Sequence, residues 1–151
     1  MKIYVASSWR NDYQPVVVNA LREAGYETYD FKAPEWNDKG FHWSEIDDGW
    51  QGWDFERYIA ALTHPLAESG FKSDMDALEW ADACVLVLPC GRSAHLELGW
   101  AIGQGKRTAI LHHPEQVIEP ELMAKMVDGQ FNSIEAIVRW LATGHEEQEP
   151  Q

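Results

Sequence analysis

Basic residues are scarce in this chain: 12 Lys and Arg stand against 25 Asp and Glu in 151 residues, a formal net charge of −13. Proteins that grip duplex nucleic acid neutralise phosphates with clustered cations, so polymeric nucleic acid is not the expected partner. A small anionic ligand stays open, because a local pocket can oppose the global charge. Cysteine is scarcer still. Cys84 and Cys90 are too few for a disulfide framework, and their spacing fits no common zinc pattern. Cys84, in the apolar run Ala83-Cys84-Val85-Leu86-Val87-Leu88, reads as a small buried residue. Long apolar runs are missing too. Nothing approaches the ~18–20 residues of a membrane helix, and Met1-Lys2-Ile3-Tyr4-Val5 lacks the apolar stretch of a signal peptide. The expectation is a chain with no membrane partner, cytoplasmic by default.

Glycine is absent where a dinucleotide fingerprint would need it. The first strand-to-helix loop, Ser7-Ser8-Trp9-Arg10-Asn11-Asp12, has none, and Gly103-Gln104-Gly105-Lys106 follows a helix instead of opening one. Gly91-Arg92-Ser93-Ala94-His95 lacks the second glycine of a nucleophile elbow. His112-His113 has no partner at metal-helix spacing, so a surface or supporting role is expected. No metal and no cofactor is called for, and no internal repeat is visible.

What is present is an alternation of strand and helix. Lys2–Ala6 reads as a buried strand. Val17, Val18, Leu21 and Ala24 recur at helical spacing after Pro15, and Gly25 stops them. A second strand follows at Glu27–Phe31. From Lys32 to about Tyr58 the pattern breaks, with Trp36, Trp43, Trp50 and Trp53 among many acids; a loop of that length is usually functional or mobile. Helical patterning resumes at Phe55–Leu66 and Ser73–Trp80. A central strand at Ala83–Leu88 leads to a helix through Gly103 with Ser93 as its N-cap, then a strand at Thr108–Leu111 and a closing helix at Ile134–Leu141. The length suits one domain, here 1–145 with a Trp-rich insertion at about 32–58, and 146–151 reads as an acidic disordered tail. Alternating strands and helices predict a three-layer α/β domain with a parallel sheet, which binds ligands beyond the carboxyl ends of its strands.

Glu97 stands out at such an edge. It lies four residues after Ser93, among Leu96, Leu98, Trp100 and Ala101. One reading is a first-turn acid favoured by the helix dipole, worth about 0.3–1 kcal/mol when exposed. The other is a carboxylate whose burial tunes it for covalent chemistry. Pattern alone weighs them equally.

Lys2-Ile3-Tyr4-Val5-Ala6, an aspartate eight residues before Ala81-Asp82, and Ser93-Ala94-His95-Leu96-Glu97-Leu98-Gly99-Trp100-Ala101 followed by Gly105-Lys106 resemble the nucleoside 2-deoxyribosyltransferase family and its 2'-deoxynucleoside 5'-phosphate N-hydrolase relatives. The resemblance runs from Met1 to about Leu111. It implies a flavodoxin-like sheet of about five parallel strands and double displacement at a deoxyribose C1'. Glu97 matches the nucleophile, Asp74 the aspartate that helps protonate the leaving base, with Asp76 a weaker candidate, and Tyr4 the tyrosine that orients the nucleophile. One carboxylate attacks while another group supplies a proton, the two-role logic of retaining glycoside hydrolysis.

The chain also departs from the family. Gly91-Arg92-Ser93 stands where the transferases carry an aspartate and a glycine. Ser7-Ser8-Trp9-Arg10 resembles the phosphate-contacting loop of the N-hydrolases, so Ser8, Trp9 and Arg10, with Gly91, Arg92 and Ser93, are candidate substrate contacts, and Arg10 with Arg92 a candidate grip on a 5'-phosphate. The plainer readings are a solvated loop cation and a turn serine. Trp43, in Phe41-His42-Trp43, is the aromatic most expected at a ligand; satellite packing or a lid is the alternative. The expected function is cleavage of the N-glycosidic bond of a small-molecule nucleoside or nucleotide, by transfer or hydrolysis. NAD glycohydrolysis and a non-catalytic nucleotide-binding or assembly module are the rivals. The resemblance further implies a homo-oligomer.

Overall fold

The computed structural model describes residues 1–35, 37 and 39–143; Trp36 and the tail 146–151 lie outside them. It divides into two compact units, one formed by Met1–Tyr29 with the chain from Ala81 onward, the other by Asp30–Trp80.

The first unit carries the sheet. Strands β1 (Lys2–Ala6), β2 (Glu27–Asp30), β3 (Ala83–Val87), β4 (Arg107–Leu111) and β5 (Gly129–Phe131) lie in the order β2-β1-β3-β4-β5, all parallel. With helices on both faces this is the three-layer, flavodoxin-like α/β arrangement. Register aligns Tyr4 with Cys84 and Cys84 with Thr108. Because side chains alternate across a sheet, Ile3, Val5, Ala83, Val85, Val87, Ala109 and Leu111 form one face. They meet Val17, Val18 and Leu21 of α1 (Gln14–Glu23) and Ile137 and Leu141 of α5 (Ile134–Thr143) in a single buried cluster. Tyr4, Ala6, Cys84, Leu86, Thr108 and Ile110 turn to the opposite face, where α4 (Arg92–Gly103) packs on β1, β3 and β4 through Ala94, Leu98 and Ala101.

Local chemistry explains the boundaries. Gly25 and Gly105 take positive φ values of 95° and 72° just past α1 and α4, conformations that glycine adopts without a Cβ clash. Ser133 Oγ accepts from the Ala136 N–H at the start of α5. At its end the Arg107 guanidinium donates to the carbonyls of Trp140 (2.6 Å) and Leu141 (3.0 Å) and stacks on the Trp140 ring, a cation placed where the helix dipole favours one.

The second unit holds two short 3₁₀ turns, Trp43–Glu45 and Trp50–Gly52, then α2 (Phe55–Leu62) and α3 (Pro65–Trp80). Asp54 caps α2 by accepting from the Arg57 N–H at 2.8 Å. The helices differ from the sequence reading, because Pro65 divides them: α2 stops at Leu62, and α3 runs unbroken from Pro65 instead of starting at Ser73. Proline suits the first turn of a helix, where its missing N–H costs nothing. The fifth strand was not placed from sequence; Gly-Gln-Phe is too short and polar to announce itself.

Candidate active site

Strand order reverses between β1 and β3, so the crevice expected in this fold opens at their carboxyl ends. Two loops of the first unit meet there, and they are bonded together. Ser7 Oγ donates to the Val87 carbonyl at 2.8 Å, and Asn11 Nδ2 donates to the carbonyls of Val87 (3.2 Å) and Pro89 (3.0 Å). Ser8 Oγ accepts from the Arg10 N–H at 3.3 Å, leaving the side chains of Trp9 and Arg10 exposed on the same loop.

The β3-to-α4 turn supplies the next groups. Gly91, not Ser93, is the N-cap of α4. Arg92 and Ser93 are therefore exposed residues of its first turn, and Glu97 falls in the second turn. That removes the reading of Glu97 as a first-turn acid, since the dipole effect fades beyond the terminal turn. Glu97 is half-buried. Its carboxylate makes itself felt on both cysteines. Burial raises the Cys84 thiol far above its ordinary pKa, and the Glu97 charge adds to the shift against a weaker opposing pull from Lys106. Cys90 is pushed up to about 12 by burial and then by Glu97. Both shifts favour the protonated thiol at neutral pH, the less nucleophilic form. His95 Nδ1 lies 2.9 Å from the Gly91 carbonyl oxygen and 3.6 Å from Cys90 Sγ, which folds that side chain back over the turn.

Beneath this edge, Tyr4 is fully buried and stacks on Tyr29, ring centroids 5.2 Å apart. It shares the α4-facing side of the sheet with its register neighbour Cys84. Tyr4, Cys84 and Glu97 thus belong to one layer, between β1, β3 and α4.

No protein-family model matches the chain, and none of the curated proteins matches it by sequence. Solved structures do. A 2-deoxyribosyltransferase of Bacillus psychrosaccharolyticus, described as a biocatalyst for nucleoside synthesis, is 19% identical over 91% of this chain and 90% of its own, with a TM-score of 0.57. The CMP N-glycosidase BcmB of Clostridium botulinum is 16% identical over 94% of this chain and 99% of its own, TM-score 0.51. A conserved protein of Enterococcus faecalis V583 is 16% identical over 92% and 95%, TM-score 0.57. The chain has a deoxyribosyltransferase-like fold.

Within that fold, Tyr4, Ser8, Trp9, Arg10, Gly91, Arg92, Ser93 and Glu97 belong to the first unit, and Asp74, Asp76 and Trp43 to the second. Asp74 is half-buried on α3; Asp76 is exposed and paired with Lys72 one turn away on the same helix. Trp43 is the hub of an aromatic group, edge-on to Phe41 (4.9 Å), Trp53 (5.7 Å) and Tyr58 (6.4 Å). That is the satellite packing weighed against a ligand contact. Asn11 and Cys90 were not singled out from sequence. An asparagine three residues ahead of a proline-led helix is a cap signal that would have found Asn11; nothing marks Cys90. Among the described residues no cluster of three or more His, Cys, Asp or Glu is arranged to hold a metal ion, and no helix is long and apolar enough to cross a membrane.

Proposed function

We propose that this chain cleaves the N-glycosidic bond of a deoxynucleoside or its 5'-monophosphate, with Glu97 as nucleophile. The observation that carries the reading is the place of Glu97: a half-buried acid in the second turn of α4, in the layer of Tyr4 and beside the strand-order reversal. The names of two proteins sharing the fold, a 2-deoxyribosyltransferase and a CMP N-glycosidase, support the same bond type. In the reaction, a Glu97 carboxylate oxygen bonds to C1' as the C1'–N bond breaks and its electron pair leaves with the base. Asp74 delivers the proton that the base takes up. Water or the nitrogen of a second base then attacks C1', giving its proton back to Asp74, and the ester breaks to restore the Glu97 carboxylate. Tyr4 orients Glu97.

The 5'-phosphate is favoured by the start of α4. Among the described residues no side chain caps that helix, and its first residue is Arg92. A cation there opposes the helix dipole unless an anion answers both. Arg10, exposed on the adjoining loop, supplies a second positive group. Deoxynucleosides, their monophosphates and NAD, each incubated with the protein and followed by chromatography of the free base, form the test. Release from a deoxynucleoside or its monophosphate is expected, with at least a ~1,000-fold loss in Glu97→Ala. Release from NAD alone points to glycohydrolysis of that dinucleotide. Binding without release points to a non-catalytic module, and equal turnover by the variant removes Glu97 from the role.

A further inference from the structure

Asn11 is 4% exposed, and both ends of its side-chain amide are engaged. Oδ1 accepts from the backbone N–H groups of Tyr13 (2.8 Å) and Gln14 (3.0 Å), and Nδ2 donates to the carbonyls of Val87 and Pro89. Two donated protons and two accepted ones are all that a primary amide offers. The two ends do different things. The oxygen caps the first turn of α1, which serine or aspartate does equally well. The nitrogen crosses to residues 76 and 78 positions away in the chain, which neither serine nor an ionised aspartate can do, since neither has two protons to give. The cap does not call for asparagine; the crossing does.

We infer that Asn11 is a positioning residue of the active site. It fixes the loop bearing Ser8 and Arg10 against the turn that leads into α4, and thereby fixes that loop relative to Glu97. The inference rests on the reaction proposed above, in which Asn11 touches no reacting atom. A site that holds its substrate from one loop and attacks from the helix after the other needs the two held in register, because a misplacement of about 1 Å can cost ~100-fold in rate. Ser7 adds a single bond to the same Val87 carbonyl, and Asn11 reaches Pro89 as well.

Asn11→Ser and Asn11→Asp both keep an acceptor for the α1 cap; aspartate removes both donors, and serine leaves at most one hydroxyl proton on a shorter arm. Each is compared with the wild-type protein by kinetics of base release, thermal melting and amide hydrogen exchange. The expected result is exchange at least ~10-fold faster at residues 95–98, the first amides bonded within α4, kcat lowered ~10–100-fold, KM little changed and the melting temperature lowered by a few degrees. Aspartate guards against a poorly folding serine variant, and the reverse. Unchanged exchange in a folded variant overturns the bridge. Faster exchange with unchanged kcat overturns the positioning role and leaves the bond a purely structural one. A wild-type protein that releases no base refutes the proposed reaction and the kinetic role with it, and the exchange result then decides the bridge alone.

Discussion

The two compact units bury different kinds of residue. In the first, Ile3, Val5, Val17, Leu21, Leu111, Ile137 and Leu141 are all fully enclosed between sheet and helices. In the second, the buried apolar residues are mainly alanines, Ala61, Ala67 and Ala77, with Leu78, while the large side chains stay at or near the surface: Phe55 is 75% and Phe71 67% exposed. A core of branched aliphatic side chains, close-packed and dry, resists local opening. A cluster of half-buried rings meeting edge to edge tolerates rearrangement better. The difference teaches that the first unit is built to hold groups still. Its loops at the sheet edge are tied down by side-chain bonds to strand-end carbonyls, as a nucleophile and its supports require.

The sharpest way to break that comparison is to hollow out each unit in turn. Leu21→Ala removes a fully buried side chain from between α1 and the sheet and is expected to cost about 2–5 kcal/mol, the range for a cavity that closes only in part. Denaturant unfolding measures it. A loss below about 1 kcal/mol means that the first unit is no more tightly packed than the second, and the contrast falls.

How far the sequence anticipated this follows the same division. In the first unit, short strand-like runs and helical spacing around Val17, Val18 and Leu21 gave β1 to β4 and α1 to within a residue or two, because these elements are buried in a continuous core. The short, polar β5 escapes the reading altogether, and elsewhere the differences lie at ends: Ser93 looks like the better cap, yet Gly91 takes the position. In the second unit there is little large apolar periodicity to read. The aromatic residues are spaced by turns, and contacts such as Trp43 with Trp53 and Tyr58 are tertiary. Asp54 is nonetheless a legible cap for α2. Candidate site residues were legible where local motif and fold coincide, as at Glu97. The pairing of Asn11 with Val87 and Pro89 was not, because it joins segments far apart in sequence.

A smaller effect is expected from Trp43→Ala. Its ring meets three others edge-on, contacts worth about 0.5–1.5 kcal/mol each beyond area burial, but it is only half-buried. A loss of about 2 kcal/mol is therefore expected, below that of Leu21→Ala, since the exposed part of the ring contributes nothing on folding. The base-release assay separates the two readings of this residue. If it only packs, KM for the best substrate changes less than about 3-fold; a stacking contact with the base raises it by 10-fold or more, at ~1–3 kcal/mol per stacked base.

The smallest effect concerns how charge acts in each unit. At the half-buried Asp47 the carboxyl pKa is lowered by hydrogen bonds from the Trp53 indole and the Gly49 N–H, with the Arg57 guanidinium adding less. At Cys90 the shift is upward, from 9.0 to about 12, first from burial and then from the Glu97 charge. The signs have opposite consequences. Asp47 favours the folded state above its ordinary pKa of 3.8, and that contribution is lost as pH falls through its lowered folded value. Cys90 favours it below pH 9, and the contribution is lost as pH rises from 9 towards 12, where the unfolded chain surrenders the thiol proton first. Glu97→Gln removes the second cause and leaves the first, so the thiol pKa should fall without reaching its ordinary value. Alkylation of Cys90 by iodoacetamide, followed by mass spectrometry between pH 8 and 10, is expected to run a few-fold faster in this variant, because the thiolate is the reacting species. Cys84, fully buried, serves as the internal control and stays unmodified in the folded protein. Identical Cys90 rates in the two proteins would mean that the Glu97 carboxylate does not face the β3-to-α4 turn, and the nucleophile would lose the geometry on which its role depends.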